Sequence, residues 1–270
     1  MIIYKNFWSH FNKDNFWLEA KIKISKDITV SSVFFKNKNS IETLLNNKSF
    51  NILYSFENLY NPQFDWIIKY LSDFDLVIGI NDIKLNNYIR LPASLAYHIN
   101  GSESENYSAF MYKNKNICMV SKNPHSLRIK MINEFKNRDV KVDCGGPLLN
   151  NIGYNVVSKC GFLKNYYFNI CPENSYAKGY CSEKIYQALL SNCIPIYWGD
   201  LSCDKHIVNT NKILHIHKDY SNLESIVDRC VFLLKNKNEL YSMLIQPSFS
   251  VNNLQKQNAL TMEKIHQALQ

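Results

Sequence analysis

The chain has 270 residues, 46% of them apolar, which is enough to bury one large core or two smaller ones. Its formal charge is +8, but the lysines and arginines are scattered among asparagines, which describes a solvated surface and argues against a nucleic-acid partner. Apolar runs stay short of the roughly 18 residues of a membrane span, and the N-terminus lacks a basic segment followed by an apolar core, so the expectation is a cytoplasmic protein that can lie peripherally on the inner membrane face.

Along the chain, short strand-like runs alternate with helix patterns, the signature of an α/β fold with largely parallel sheets. "MIIYKNFW", "ITVSSVFF", "FNILYSF" and "FDLVIGI" form one series. The polar stretch "NGSESENYS", residues 100–108, interrupts it, and a second series follows with "NICMVS", "YFNIC", "IPIYW" and "ILHIH". Two domains are therefore predicted, residues 1–110 and 111–250, with residues 251–270 forming a C-terminal helix that can pack back on the first domain. Ser126 is a candidate cap for a helix through "LRIKMINEFKNR", whose Leu127, Met131, Ile132 and Phe135 share a face, and Arg128 falls in its first turn. Ile226, Val227, Cys230 and Leu234 mark another amphipathic helix, and Leu254 to Leu269 a last one. The eight cysteines contain no C-x-x-C and several lie in apolar runs, so they read as reduced, buried thiols.

Two α/β halves imply a cleft between them, with ligands at the C-terminal ends of strands and the N-terminal ends of helices. The stretch "FNICPENSYAKGYCSEKIYQALLSNCIPIYWGD" suits such a place: after a strand, the loop "PENSYAKGYC" leads to Ser182, a candidate cap, with Glu183 and Lys184 in the first helical turn. A helix N-terminus presents unpaired N–H groups to phosphate, Lys184 adds a full charge, and an ionised Glu183 accepts from sugar hydroxyls. The chemistry is that of a sugar-containing phosphate ester such as a nucleotide. Ordinary helix capping explains the same residues.

That stretch resembles the donor-binding signature of the α1,3/4-fucosyltransferases, glycosyltransferase family 10, in which F-E-N-(S/T), Y-x-T-E-K and P-(I/V)-Y-x-G follow in this order. The likeness extends through "NILYSFENLYNPQFD", "FDLVIGI", "NNYIRLP", "SKNPHSLRIKMINEF" and "VDCGGPLLNNIGYNV", and is nearest to the bacterial members. It implies a GT-B arrangement of two Rossmann-like domains with a cleft between them, residues 1–110 on the acceptor side and 111–250 binding the GDP-sugar. Arg128 matches the family arginine that holds the donor pyrophosphate. Glu173, Asn174, Tyr180, Glu183 and Lys184 match its donor motif, with Glu183 on the ribose and Lys184 on the phosphates. Pro172 stands where the family has an aromatic residue, and Ser182 where it has threonine.

The resemblance implies transfer of L-fucose from GDP-β-L-fucose, with inversion, to a hydroxyl, O3 by preference, of a GlcNAc or glucose unit in an oligosaccharide or glycolipid such as lipopolysaccharide. No metal or other cofactor is obligatory. The family's catalytic glutamate falls in "NDIKLNNYIRLP", one residue shorter here, where Asp82 is the best counterpart, and Glu57 is the next candidate base. Another GDP-sugar on the same fold, or a degenerate sugar-nucleotide or glycan-binding module, are the alternatives. "DFD", residues 73–75, and the pair His215 and His217 read as strand-edge and structural polarity rather than metal sites.

Overall fold

The computed structural model describes residues 1–7, 27–99 and 113–270. The interruption at residues 100–108, and the N-terminal segment from residue 8 to residue 26, lie outside the described residues. The chain divides into two compact units: Met1–Ile99 with Ala177–Tyr180 and Gln255–Gln270, and Asn100–Tyr176 with Cys181–Leu254. A single cut at residue 110 does not express this division, because four residues of the loop before Glu183 and the last sixteen of the chain join the first unit.

The first unit holds a parallel sheet of β1 (Ile2–Lys5), β2 (Ile28–Ser31), β3 (Phe50–Ser55), β4 (Leu76–Gly79) and β5 (Tyr88–Arg90), in sequential order. All four residues of β2 and of β4 are buried, as expected of parallel strands covered on both faces; β4 reads as a continuous apolar run, whereas β2 alternates Ile28 and Val30 with the buried hydroxyls of Thr29 and Ser31. The period of two still sorts the packing. Ile52, Tyr54, Leu76 and Ile78 face one core with Leu95 of the helix Ala93–Ala96 and Ile265 and Leu269 of the C-terminal helix Val251–Leu269. Leu53 and Val77 face the other, with Ile41, Leu44 and Ile67 from the helices Lys38–Leu45 and Asp65–Ile68.

The second unit holds β6 (Lys115–Met119), β7 (Val142–Cys144), β8 (Tyr166–Ile170), β9 (Ile194–Tyr197) and β10 (Leu214–His215), parallel in the order β10-β9-β8-β6-β7. From β6 the chain steps outward to β7 and then returns to β8 on the opposite side of β6. That reversal is a topological switch point, where the loops leaving two neighbouring strands part and open a crevice at the carboxyl end of the sheet. Helices Ser126–Lys136 (α1), Lys159–Leu163 (α2) and Glu183–Leu190 (α3) flank it, and Leu223–Lys235 (α4) packs against the same core. α1 buries Leu127, Met131 and Phe135, with Ile132 partly covered. Its cap is His125, whose Nδ1 accepts from Leu127 N at 3.2 Å, rather than Ser126, which is already the first helical residue. All eight cysteines are free and six are buried.

Candidate active site

At the switch point of the second unit lies a cavity of about 240 Å³, walled by residues 119–123 after β6, by residues 170–172 and Asn174 after β8, and by Arg128, Lys159, Glu183 and Lys184. Whole-ligand pockets usually span roughly 300–1,000 Å³, so this space accommodates a compact part of a ligand rather than all of one. Four of its lining side chains are cationic and one is acidic, which suits an anion.

Arg128 reaches the cavity from the first turn of α1 although only 3% of it is exposed. Nη1 donates to Asn123 O at 2.6 Å, and Nη2 donates to Pro172 O at 3.1 Å and to Asn174 Oδ1 at 3.0 Å. These bonds span the two strand-end loops and fix the guanidinium plane against the cavity. Asn174 thus meets Arg128, as a positioning contact, while its residue as a whole is exposed.

Glu173 is not a cavity residue. It is fully buried, and its carboxylate accepts from Ser182 N at 2.8 Å, from Ser182 Oγ at 2.9 and 2.7 Å, from Tyr197 OH at 3.2 Å and from Lys184 Nζ at 2.9 Å. Its own N–H donates to Trp198 O at 2.8 Å. These bonds engage the carboxylate within the protein, where Glu173 ties β8, β9 and the start of α3 together. The same network corrects Ser182. It is the residue before α3, but its hydroxyl bonds Glu173 and makes no cap bond to the helix. Gly199 belongs to this arrangement, since a Cβ there would strike Tyr197 OH and Glu173 Cγ.

Lys184 lines the cavity while paired with Glu173, with Ser182 Oγ at 2.9 Å and Glu183 Oε1 at 3.7 Å as further neighbours. Glu183 faces the cavity. Burial pushes its carboxyl up, but the charges of Lys184 and Lys159, with hydrogen bonds from its own N–H and the Ser182 hydroxyl, outweigh burial and hold it below the ordinary carboxylate range. It is an ionised acceptor, suited to hydroxyl groups. Tyr180 belongs to the first unit, where it is buried with Ile80 and Ala177.

Asp82 follows β4 at the carboxyl end of the first unit's sheet and is 16% exposed at its side chain. Lys178 Nζ lies 2.6 Å from Oδ2 and Lys84 Nζ 3.1 Å from Oδ1. The Lys178 hydrogen bond, with that of Lys84, holds the carboxyl below the usual aspartate range against a modest effect of burial. The backbone is pinned as well: Asp82 N donates to Lys178 O at 3.0 Å, and Arg90 bridges Ile80 O at 3.1 Å and Gly179 O at 3.0 Å. Gly179, at φ +73°, approaches so closely that a Cβ would meet Asp82 N at 2.5 Å. Buried Asn81 completes the support by accepting from Leu59 N at 2.9 Å and donating to Asn58 Oδ1 at 2.9 Å. Glu57 is half-buried just beyond the end of β3.

Sequence reasoning missed Lys159, Lys178 and Arg90. Lys178 sits within the quoted loop and Arg90 within "YIRLP", but nothing in their spacing marks them as neighbours of Asp82. The side constellations are structural: Asp75 Oδ2 accepts from Asn51 N at 2.7 Å, His215 Nε2 contacts Gly199 O at 2.9 Å, and His217 Nδ1 contacts Ser221 Oγ at 3.2 Å. Among the described residues no group of three or more His, Cys, Asp or Glu could hold a metal ion, and no helix is long and apolar enough to cross a membrane.

Two parallel-sheet α/β units, one carrying a cationic crevice at its switch point, define a protein of the GT-B type. The family model for the C-terminal region of glycosyltransferase family 10 (fucosyltransferase) matches residues 110–265, and the chain belongs to that family. It is 30% identical over 209 residues to an α-(1,3)-fucosyltransferase of Helicobacter pylori, covering 64% of this chain and 43% of that protein. It is 27% identical over 131 residues to α-(1,3)-fucosyltransferase B of Drosophila melanogaster, covering 48% and 28%. The chain thus spans less than half the length of these curated relatives. A crystal structure of an α1,3-fucosyltransferase with GDP-fucose shares the fold with a TM-score of 0.70 at 21% identity, over 98% of this chain and 89% of that one.

Proposed function

We propose that this protein is an inverting glycosyltransferase that moves L-fucose from GDP-β-L-fucose to a hydroxyl, by preference O3, of a GlcNAc or glucose unit in an oligosaccharide or glycolipid. The observation that carries the reading is the switch-point cavity, where Arg128 is fixed by both strand-end loops and Glu183 stands ionised beside cationic side chains. A diphosphate suits the cations, and ribose hydroxyls suit Glu183. Residues 111–250 would bind the GDP-sugar and residues 1–110 the acceptor.

In this reading Asp82 accepts the proton of the acceptor hydroxyl as its oxygen bonds the anomeric carbon, and the bond from that carbon to the phosphate oxygen breaks, the electron pair leaving with GDP. Two lysines make Asp82 a weak base. That is tolerable where the sugar resembles an oxocarbenium ion, because the attacking hydroxyl becomes strongly acidic as its bond forms. Arg128 and its neighbours stabilise the charge that develops on GDP. The acceptor, the membrane contact and a cytoplasmic location belong to this proposal too.

The test is incubation of the purified protein with GDP-fucose, other GDP-sugars and an N-acetyllactosamine acceptor, following GDP release and the anomeric configuration of the product. Acceptor-dependent GDP release with an α-linked fucoside is expected, and preference for a different GDP-sugar would overturn the donor. The Lys178–Asp82 ion pair favours one other reading, a binding module without turnover. That reading gains if GDP binds tightly, Arg128→Ala abolishes binding, and no GDP-sugar is turned over.

A further inference from the structure

The family motif does not include Lys159, which enters the cavity wall from the first turn of α2. We propose that Lys159 is a further ammonium that meets the donor diphosphate, an inference that rests on the GDP-binding reading above.

The argument is one of charge compensation. Lys184 already has an anionic partner at 2.9 Å in the fully buried Glu173, and the Ser182 hydroxyl at the same distance. A phosphate drawing on Lys184 would have to compete with that pair. Lys159 makes no hydrogen bond or ion pair among the described residues, yet it is half-buried in the same cavity. Burial lowers its proton affinity below the ordinary lysine range, an effect that Glu183, Cys171 and Glu173 offset only in part and that the Lys184 charge reinforces. A cation held in a partly desolvated wall with its compensation incomplete is stabilised when an anion arrives. A diphosphate brings more charge than Arg128 alone can neutralise, and both side chains border a space of compact-anion size.

GDP binding by calorimetry, and guanosine binding by competition, are compared for the wild type, Lys159→Met and Lys159→Arg. Lys159→Met is expected to weaken GDP about 10- to 100-fold, the scale of a charge-assisted hydrogen bond. It should leave guanosine affinity within about twofold, because guanosine carries no phosphate, and Lys159→Arg should retain most GDP affinity. The wild-type affinity for GDP should also fall more steeply with added salt than that of Lys159→Met. If Lys159→Met binds GDP like the wild type while Arg128→Ala does not, Lys159 is not the phosphate ligand and the donor reading stands. An equal loss of GDP and guanosine affinity would make Lys159 structural and likewise overturn the proposal. If the wild type binds neither ligand, the donor reading itself falls. Should Lys159→Met fail to fold, Lys159→Gln is measured in its place against the same expectations.

Discussion

Removing the negative charge of Glu173 should damage the fold before it damages ligand chemistry. The carboxylate is fully buried, and its partner Lys184 is 16% exposed, so Glu173→Gln leaves an ammonium in a largely dry setting with only the more distant Glu183, at 3.7 Å, as counter-charge. Breaking one side of a buried ion pair costs about 3–5 kcal/mol, and the partial exposure of Lys184 places the expectation near the lower end, about 3 kcal/mol. With about 2–4 °C lost per kcal/mol for a domain of this size class, the thermal midpoint should fall by about 6–12 °C. Calorimetry on the wild type, Glu173→Gln, Lys184→Met and the double variant tests this. Lys184→Met alone should cost at least as much, because it strands a fully buried carboxylate, and the double variant should recover about 2 kcal/mol relative to the sum. Strictly additive losses, or a midpoint within about 2 °C of the wild type for Glu173→Gln, would refute the reasoning and return Glu173 to the list of ligand contacts.

Asp82→Asn should keep GDP affinity nearly intact while lowering turnover about 100-fold or more, the scale for losing a general base; unchanged turnover where chemistry limits the rate would move attention to Glu57. Gly199→Ala should destabilise by about 1–3 kcal/mol, because the added methyl strikes Tyr197 and Glu173, and urea unfolding measures it. The Asp82 ion pair gives a pH signature: its folded value is depressed, so its stabilising effect is present above the ordinary aspartate pKa of about 3.9 and is lost as pH falls through the folded value. Urea midpoints compared between pH 6 and pH 3, with Lys178→Met as the reference that lacks the stronger partner, should show a steeper acid loss in the wild type.

Much of the fold was legible because its central strands are short and largely buried on both faces. β4 and β9 announce themselves as short apolar runs, with all four residues of each buried. β5 and β7 do not, being three residues long and bounded by polar or glycine-containing segments. The cap of α1 was misplaced by one residue because histidine is not a usual capping residue, although its ring nitrogen takes the bond here. Lys159 was invisible for another reason. A lone lysine in "VVSKCGFL" carries no pattern, and only the crossover from β7 to β8 brings it to the wall that Arg128 and Glu183 share.

The two polar pairs, Glu173-Asn174 and Glu183-Lys184, look equivalent in the sequence, yet folding exchanges their members. Glu173 of the first pair takes Lys184 of the second, and Asn174 takes Arg128; Asn174, Glu183 and Lys184 all border the cavity, with Glu183 as its ionised acceptor. What separates Glu173 from Glu183 is depth: one lies beneath the start of α3 with its oxygens engaged, the other in the first turn at the cavity wall. Loss of activity on replacing either glutamate would therefore be uninformative by itself, since collapse of the loop and loss of a ligand contact both silence the site. Stability resolves them. A ligand contact should lower GDP affinity with the thermal midpoint of the free protein nearly unchanged, as expected for Glu183→Gln, whereas a member of the internal network should lower the midpoint whether or not GDP is present, as expected for Glu173→Gln.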